Sequence, residues 1–248
     1  MADFDNRLMR GVATADTTTD LGLRAHMLRV YNYMSGALAL TGVVAWLTAN
    51  SPLLNMMYHQ VDTARGIALQ PTILGWVVML APLALVFLLS FRINQMSFAA
   101  AQSTFWAYAA LVGASLSSIL IVYTGASVAL TFFVTAATFG TMSLWGYTTQ
   151  RDLTGFGSFL MMGVFGLIIA MLANFFFKSP AISFAISILG VLIFTGLTAY
   201  DTQKIKQYYY VGDDGSVAGK KAIMGALALY LDFLNIFLFL LRFMGNRR

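Results

Sequence analysis

Seven long apolar runs constrain this chain more than any other feature: Tyr33–Ala49, Ile73–Phe91, Ser103–Tyr123, Ala126–Trp145, Phe159–Phe177, Ala181–Tyr200 and Ala222–Leu241. A helix needs about 17–25 apolar residues to cross a hydrocarbon core about 30 Å thick, and each run is long enough. None alternates as an outer-membrane strand does. Lipid offers backbone N–H and C=O groups no partners, so the runs read as helices. The fold class is all-α integral membrane, a seven-transmembrane-helix bundle. Too little polar sequence remains for a second soluble domain. The division expected is a polar, flexible N-terminal tail at 1–28 and a seven-helix transmembrane domain at 29–245.

Composition agrees, with 59% hydrophobic and only 10% charged residues, against roughly 25% charged in soluble domains. A net charge of +5 in a soluble protein would suggest nucleic acid. Here the basic residues flank membrane helices, so the lipid bilayer is the expected partner and nucleic acid is not. The absence of cysteine excludes disulfides, thiolate metal sites and cysteine nucleophiles. The first 24 residues are polar and carry no apolar signal-peptide core.

Punctuation supports the map. Ser179-Pro180 reads as an N-cap followed by proline in the first turn. Pro82 lies inside the second run and is expected to kink it. Thr124-Gly125 makes a tight hairpin of the third and fourth runs, and Ala109, Gly113 and Ser117 form a small-xxx-small stripe for close helix contact. Trp46, Trp76 and Trp145 fall near run ends as interface anchors do, Trp106 less cleanly.

With the N-terminus cytoplasmic, the inner segments hold Arg7, Arg10, Arg24, Arg29, Arg92, Arg151, Lys204, Lys206, Lys220 and Lys221. The outer ones hold Arg65, Lys178, Arg242, Arg247 and Arg248. The bias favours this orientation. The basic C-terminus is discordant, and a re-entrant seventh segment would remove the discord.

All ten acidic residues are aspartate, and eight lie in tails or loops. The other two, Asp201 and Asp232, lie in or at the edge of consecutive runs. A carboxylate at membrane depth costs about 2.5–3.5 kcal/mol on insertion scales, so it is rarely idle. Two acids meeting in a low-dielectric site titrate as a unit. Ala228, Asp232 and Asn235 share one helix face at spacing i, i+4, i+7, with Asp232 about 15 Å into its run. Asp201 reaches similar depth if its helix continues through Thr202–Ile205, where no breaker stands. The plainer alternative makes Asp201 a polar helix end and Asp232 an interhelical hydrogen-bonding group.

Arg92 ends the second run on the same side and either pairs with Asp201 or snorkels to headgroups. Thr131, Thr135, Thr138 and Thr141 are expected to satisfy their hydroxyls on backbone carbonyls. His26 and His59 lie outside the runs, so no histidine metal site is expected within them.

Two segments, GLTAYDTQKIK (Gly196–Lys206) and ALYLDFLNIFLFLLRF (Ala228–Phe243), resemble the paired aspartate motifs of the Bax inhibitor-1 (transmembrane Bax-inhibitor-motif) family. GASLSSILIVYTGASV (Gly113–Val128) and FGTMSLWGYTTQRDL (Phe139–Leu153) are similar to its bacterial branch. The resemblance runs from about Arg29 to Gly245. It implies seven helices with the last one central, and a pH-sensitive calcium leak in a bacterial inner (plasma) membrane. It makes Asp201 and Asp232 the sensor pair and Arg92 the latch of the closed form. A further acid on the second helix of some relatives has no match here.

Three functions follow as expectations. The first is a pH-sensitive calcium or cation leak, with Asp201 and Asp232 giving at most a weak, transient calcium contact, Asn235 supporting them, and no resident cofactor. The second is a non-catalytic regulator bound to a membrane-bound ATP-dependent protease or another membrane protein, through Met1–Arg24 or Gln207–Lys221. The third is an intramembrane aspartyl protease. It is disfavoured because Asp232 follows Leu-Tyr-Leu rather than a Gly-x-Gly turn and no Pro-Ala-Leu motif comes after it, so the chain is not expected to be an enzyme.

Overall fold

The computed structural model describes residues 2–63 and 66–247. In chain order the elements are α1 (Ala2–Ala49), α2 (Leu53–Met57), β1 (Tyr58–Thr63), β2 (Gly66–Pro71), α3 (Ile73–Arg92), α4 (Phe98–Leu116), α5 (Ile119–Val122), α6 (Gly125–Thr148), α7 (Thr154–Phe177), α8 (Pro180–Gln207) and α9 (Gly215–Met244). Among the described residues, seven helical segments are long and apolar enough to cross a membrane. The first is the Leu21–Ala49 part of α1, and α4 with α5 makes the third. The expected tail and the first span thus belong to one helix, α1.

Helix ends follow local chemistry. Thr72, Ser97, Thr124, Ser179 and Asp214 each accept the N–H three residues on, capping α3, α4, α6, α8 and α9. Pro180 occupies the first turn of α8, where its missing N–H costs nothing. The backbone of α3 runs on through Pro82. The third span breaks at Ser117–Ser118, where Ser117 turns its hydroxyl back to the Ala114 carbonyl at 2.7 Å.

The spans expected from sequence fall within these helices, except that the third stops at Val122 rather than Tyr123. Most extend further at one end. This extension corrects the placement of His26, which lies inside the first span and is only 7% exposed. The antiparallel pair β1–β2, running Tyr58↔Pro71 to Thr63↔Gly66, was not anticipated.

α9 is the most buried of the spans. Of its most apolar stretch 67% is buried, against 11–33% for the other spans. It packs most closely against α8, α1, α6 and α4, while α3 leans on α4 and α7 on α8. Around it, Phe105, Tyr108, Phe139, Leu227, Tyr230 and Phe233 form the main apolar cluster. The Tyr230 hydroxyl bonds Thr41 of α1 at 2.7 Å, and Thr41 in turn donates to the Ala109 carbonyl of α4 at 2.9 Å. The small-residue stripe explains this approach: a Cβ at Gly113 would stand 2.6 Å from the Thr41 carbonyl oxygen. Trp46, Trp76 and Trp145 are exposed, whereas Trp106 packs on Tyr33 and Phe105.

The C-terminal residues reach the α5–α6 corner. Thr124 N–H donates to the Asn246 carbonyl at 3.0 Å, Asn246 N–H donates to Ser127 Oγ at 2.9 Å, and Tyr123 bridges Arg247. That corner lies at the end of the bundle opposite the 149–153 connection. The seventh helix therefore runs the length of the bundle as one continuous element and does not turn back.

At that opposite end, Gln203 clamps the 149–153 connection. Its Oε1 accepts the Leu153 N–H at 2.9 Å and its Nε2 donates to the Arg151 carbonyl at 2.8 Å. Asp152 Oδ1 accepts from the Thr154 hydroxyl at 2.6 Å and from the Thr154 N–H at 2.9 Å. These bonds hold the exposed Asp152 carboxyl below its ordinary value. With the folded value below the unfolded one, the contribution is complete above the unfolded value near 3.8 and is lost as pH falls through the folded value. Asp152→Ala is therefore expected to melt earlier than the parent at about pH 7, and the gap to narrow as pH falls below 3.8. Melting curves across this range check this.

Candidate functional site

Asp201 sits on the extended end of α8, because the helix continues through Thr202–Ile205 to Gln207 without interruption. Asp232 sits in the middle of α9. These two helices share the broadest helix–helix contact in the bundle, and their carboxyl groups lie close enough to interact across it. Asp232 is 3% exposed, and its Oδ2 has no partner. Two carboxyl groups this close in a low-dielectric site cannot both ionise freely.

Asp201 is reached from one end of the bundle. A cavity of about 620 Å³ opens beside it, lined also by His26, Asn94, Lys204, Lys220 and Lys221. Its rim is fixed by Lys221, which pairs with Asp213 at 2.5 Å and donates to the Tyr208 carbonyl at 3.0 Å. Water reaching this cavity meets Asp201 before Asp232. Asp201 lines this cavity, whereas Asp232 does not and is enclosed.

The other expected members stand elsewhere. Arg92 is exposed at the end of α3 and forms no ion pair among the described residues. The cations sharing the cavity with Asp201 are Lys204, Lys220 and Lys221, of which Lys204 is held over the Tyr200 and Tyr208 rings at 5.6 and 5.8 Å. Asn235 does not reach the pair; its Nδ2 donates to the Leu231 carbonyl one turn back at 2.8 Å. Thr135, Thr138 and Thr141 bond carbonyls of their own helix, but Thr131 Oγ1 is buried without a partner, against expectation. Among the described residues no three His, Cys, Asp or Glu side chains stand together as a metal site.

Sequence reading missed the polar contacts that tie α8 to α1 and α6. Tyr31, Ser143 and Thr202 form a hydroxyl chain with steps of 2.6 and 2.9 Å. Lys206 donates to the Tyr147 carbonyl at 3.0 Å and lies over that ring. The only sequence signal was that TQKIK (Thr202–Lys206) places polar residues where an apolar helix continues.

A seven-helix bundle that brings two carboxyl groups together in its interior is a polytopic membrane protein built around an acidic pair. Comparison with known proteins makes the class specific. Residues 23–248 match the family described as Inhibitor of apoptosis-promoting Bax1. The chain is 47% identical over 230 residues to inner membrane protein YbhL of Escherichia coli (strain K12), covering 92% of this chain and 94% of that one. It is 46% identical over 249 residues to an uncharacterized protein of Rickettsia prowazekii (strain Madrid E), covering 100% of each. It is 44% identical over 240 residues to an uncharacterized protein of Deinococcus radiodurans, covering 97% and 98%. The chain belongs to the Bax inhibitor family.

Proposed function

We propose that this protein is a pH-sensitive leak for calcium or another cation across a bacterial inner membrane, with its N-terminus cytoplasmic and Asp201 and Asp232 as sensor and transient ion contact. The observation that carries the reading is the meeting of the two carboxyl groups inside the bundle beside a cavity that reaches one of them. The relative named as an inner membrane protein and the excess of Lys and Arg on the N-terminal side support the location.

In this reading a proton and a cation compete for the same oxygens. When the pair is protonated the carboxyls hold each other and α8 stays against α9. When the proton leaves, two carboxylates in contact must separate, recruit a cation, or take a partner such as Arg92 or Lys204. Calcium prefers six to eight oxygens, so two aspartates hold it only in passing, with water completing its shell. A leak needs no tighter site.

The test is calcium entry into proteoliposomes as a function of pH. Entry is expected to rise with pH as protons leave the pair, and to become flat in Asp201→Asn and Asp232→Asn. Unchanged pH profiles in both variants would sink the sensor role. Arg92→Gln is expected to raise entry at high pH if the arginine latches the ionised form.

The geometry favours a leak over peptide hydrolysis, because Asp232 lies within an unbroken helix and is closed to water. Regulation of a membrane-bound ATP-dependent protease is a second reading. It is favoured by the exposed Tyr208, Tyr210 and Val211 in the short connection before α9. Co-purification of such a protease, lost when these residues become serine, tests it.

A further inference from the structure

The end of the bundle remote from the acidic pair carries a second polar cavity. It has a volume of about 640 Å³ and lies where the end of α7, the start of α8 and the end of α9 converge. Lys178, Arg242 and Arg247 line it together with Asn174, Ser183 and Phe184, and no carboxylate does so among the described residues. Of the ten aspartates only Asp62 belongs to a segment at this end. Arg242 stands over the Phe239 ring and Arg247 over the Tyr123 ring, each at 5.8 Å, so aromatic faces hold both guanidinium groups. Asn174 fixes the rim, with Oδ1 accepting the Ser179 N–H at 2.9 Å and Nδ2 donating to Ser183 Oγ at 2.7 Å.

Lys178 adds an independent sign. Its φ of 50° makes it the single non-glycine residue with left-handed backbone among the described residues. That position, just past a helix, favours glycine or asparagine. A lysine there breaks a local rule, and such breaks concentrate at functional positions. The ordinary explanation, that cations suit the negative ends of helices, accounts for a charge on each helix. It does not account for their convergence on one cavity.

The surroundings identify the ligand. Phe175, Phe176 and Phe177, immediately before Lys178, are 73–79% exposed, and Phe184 across the cavity is 56% exposed. Apolar surface for acyl chains therefore ends where the cations begin, which is headgroup depth. A free phosphate has no use for that surface.

We propose that this cavity binds the phosphate of an anionic phospholipid, with Lys178, Arg242 and Arg247 facing the headgroup and the acyl chains lying along Phe175–Phe177 and Phe184. A zwitterionic lipid brings its own cation and binds less well.

Native mass spectrometry of the full-length protein released from mixed phosphatidylglycerol and phosphatidylcholine micelles tests this. The wild type is expected to retain phosphatidylglycerol preferentially. Each cation removed, in Lys178→Gly or Arg242→Gln, should lower the preference about fivefold. Arg151→Gln, at the opposite end, should leave it intact. Glycine suits the backbone at residue 178, so Lys178→Gly keeps the fold and carries the test if Arg242→Gln does not. Equal retention of the two lipids by the wild type would overturn the proposal, as would an unchanged preference in Lys178→Gly. Displacement of the lipid by excess inorganic phosphate would also overturn it, by assigning the cavity to free anions.

Discussion

Asp201→Leu alone is expected to destabilise the protein by about 1–3 kcal/mol, because it leaves the enclosed Asp232 carboxyl without the polar group that faces it. Replacing both aspartates by leucine is expected to recover that loss and to exceed the parent by about 1–4 kcal/mol. The asymmetry follows from burial. Asp232 is 3% exposed, with one oxygen already unpartnered, so removing Asp201 strands the whole group. Removing both leaves an apolar contact between α8 and α9 with nothing to satisfy. The two single changes and the double one form a cycle whose coupling should be large and of compensating sign. Denaturant unfolding in detergent of the four proteins gives the numbers. Additive effects would mean that the carboxyls act independently. The double variant should also lose pH-dependent calcium entry, so that the stabler protein is the inactive one, as expected where function retains a costly group.

Gly146→Val is expected to cost more than 3 kcal/mol, or to prevent folding, because the added side chain meets backbone rather than movable atoms. A Cβ at Gly146 would fall on the Ala199 carbonyl and stand 2.7 Å from the Ala199 Cα, so α6 and α8 would have to separate. The contacts that position the site lie beside this crossing: Ser143 to Thr202, and Tyr147 to Lys206. Gly140→Val, on the same helix with open space around its Cα, is the matched control. Its stability should change by only a few tenths of a kcal/mol, in the favourable direction, because valine is the better helix former. Thermal melts of the pair decide the matter; equal melting points would show that α6 and α8 do not need to touch.

Hydropathy located the spans because length and apolar content alone decide whether a segment can cross lipid. It misjudged their ends because helices run on past the apolar part. The first span gains Leu21–Asn32, the sixth gains Asp201–Gln207 and the seventh gains Gly215–Lys221. The first of these extensions is what placed His26 wrongly. The β1–β2 pair escaped because YHQVDT and GIALQP lack clear alternation.

Residue type pointed to Asp201 and Asp232, since a carboxylate in an apolar run is costly anywhere. Residue type does not say which way a neighbour turns. Asn235 shares a helix face with Asp232 but satisfies its amide on its own backbone. Arg92 is near the right end of the bundle but exposed, and Lys204, Lys220 and Lys221 line the cavity instead. Gln203 read only as a residue that continues a helix, because its two partners lie fifty positions away in sequence.

The stitching of Asn246 and Arg247 to the α5–α6 corner restricts how the acidic pair can part. α9 is moored at one tip, so sliding along its own axis would break those bonds. A displacement that keeps them is a swing with its fulcrum at Tyr123, and the sweep is widest at the far tip, where it must carry along or break the Lys221 contacts to the Tyr208 carbonyl and Asp213. A small tilt there would widen the mouth over Asp201 more than it moves Asp232.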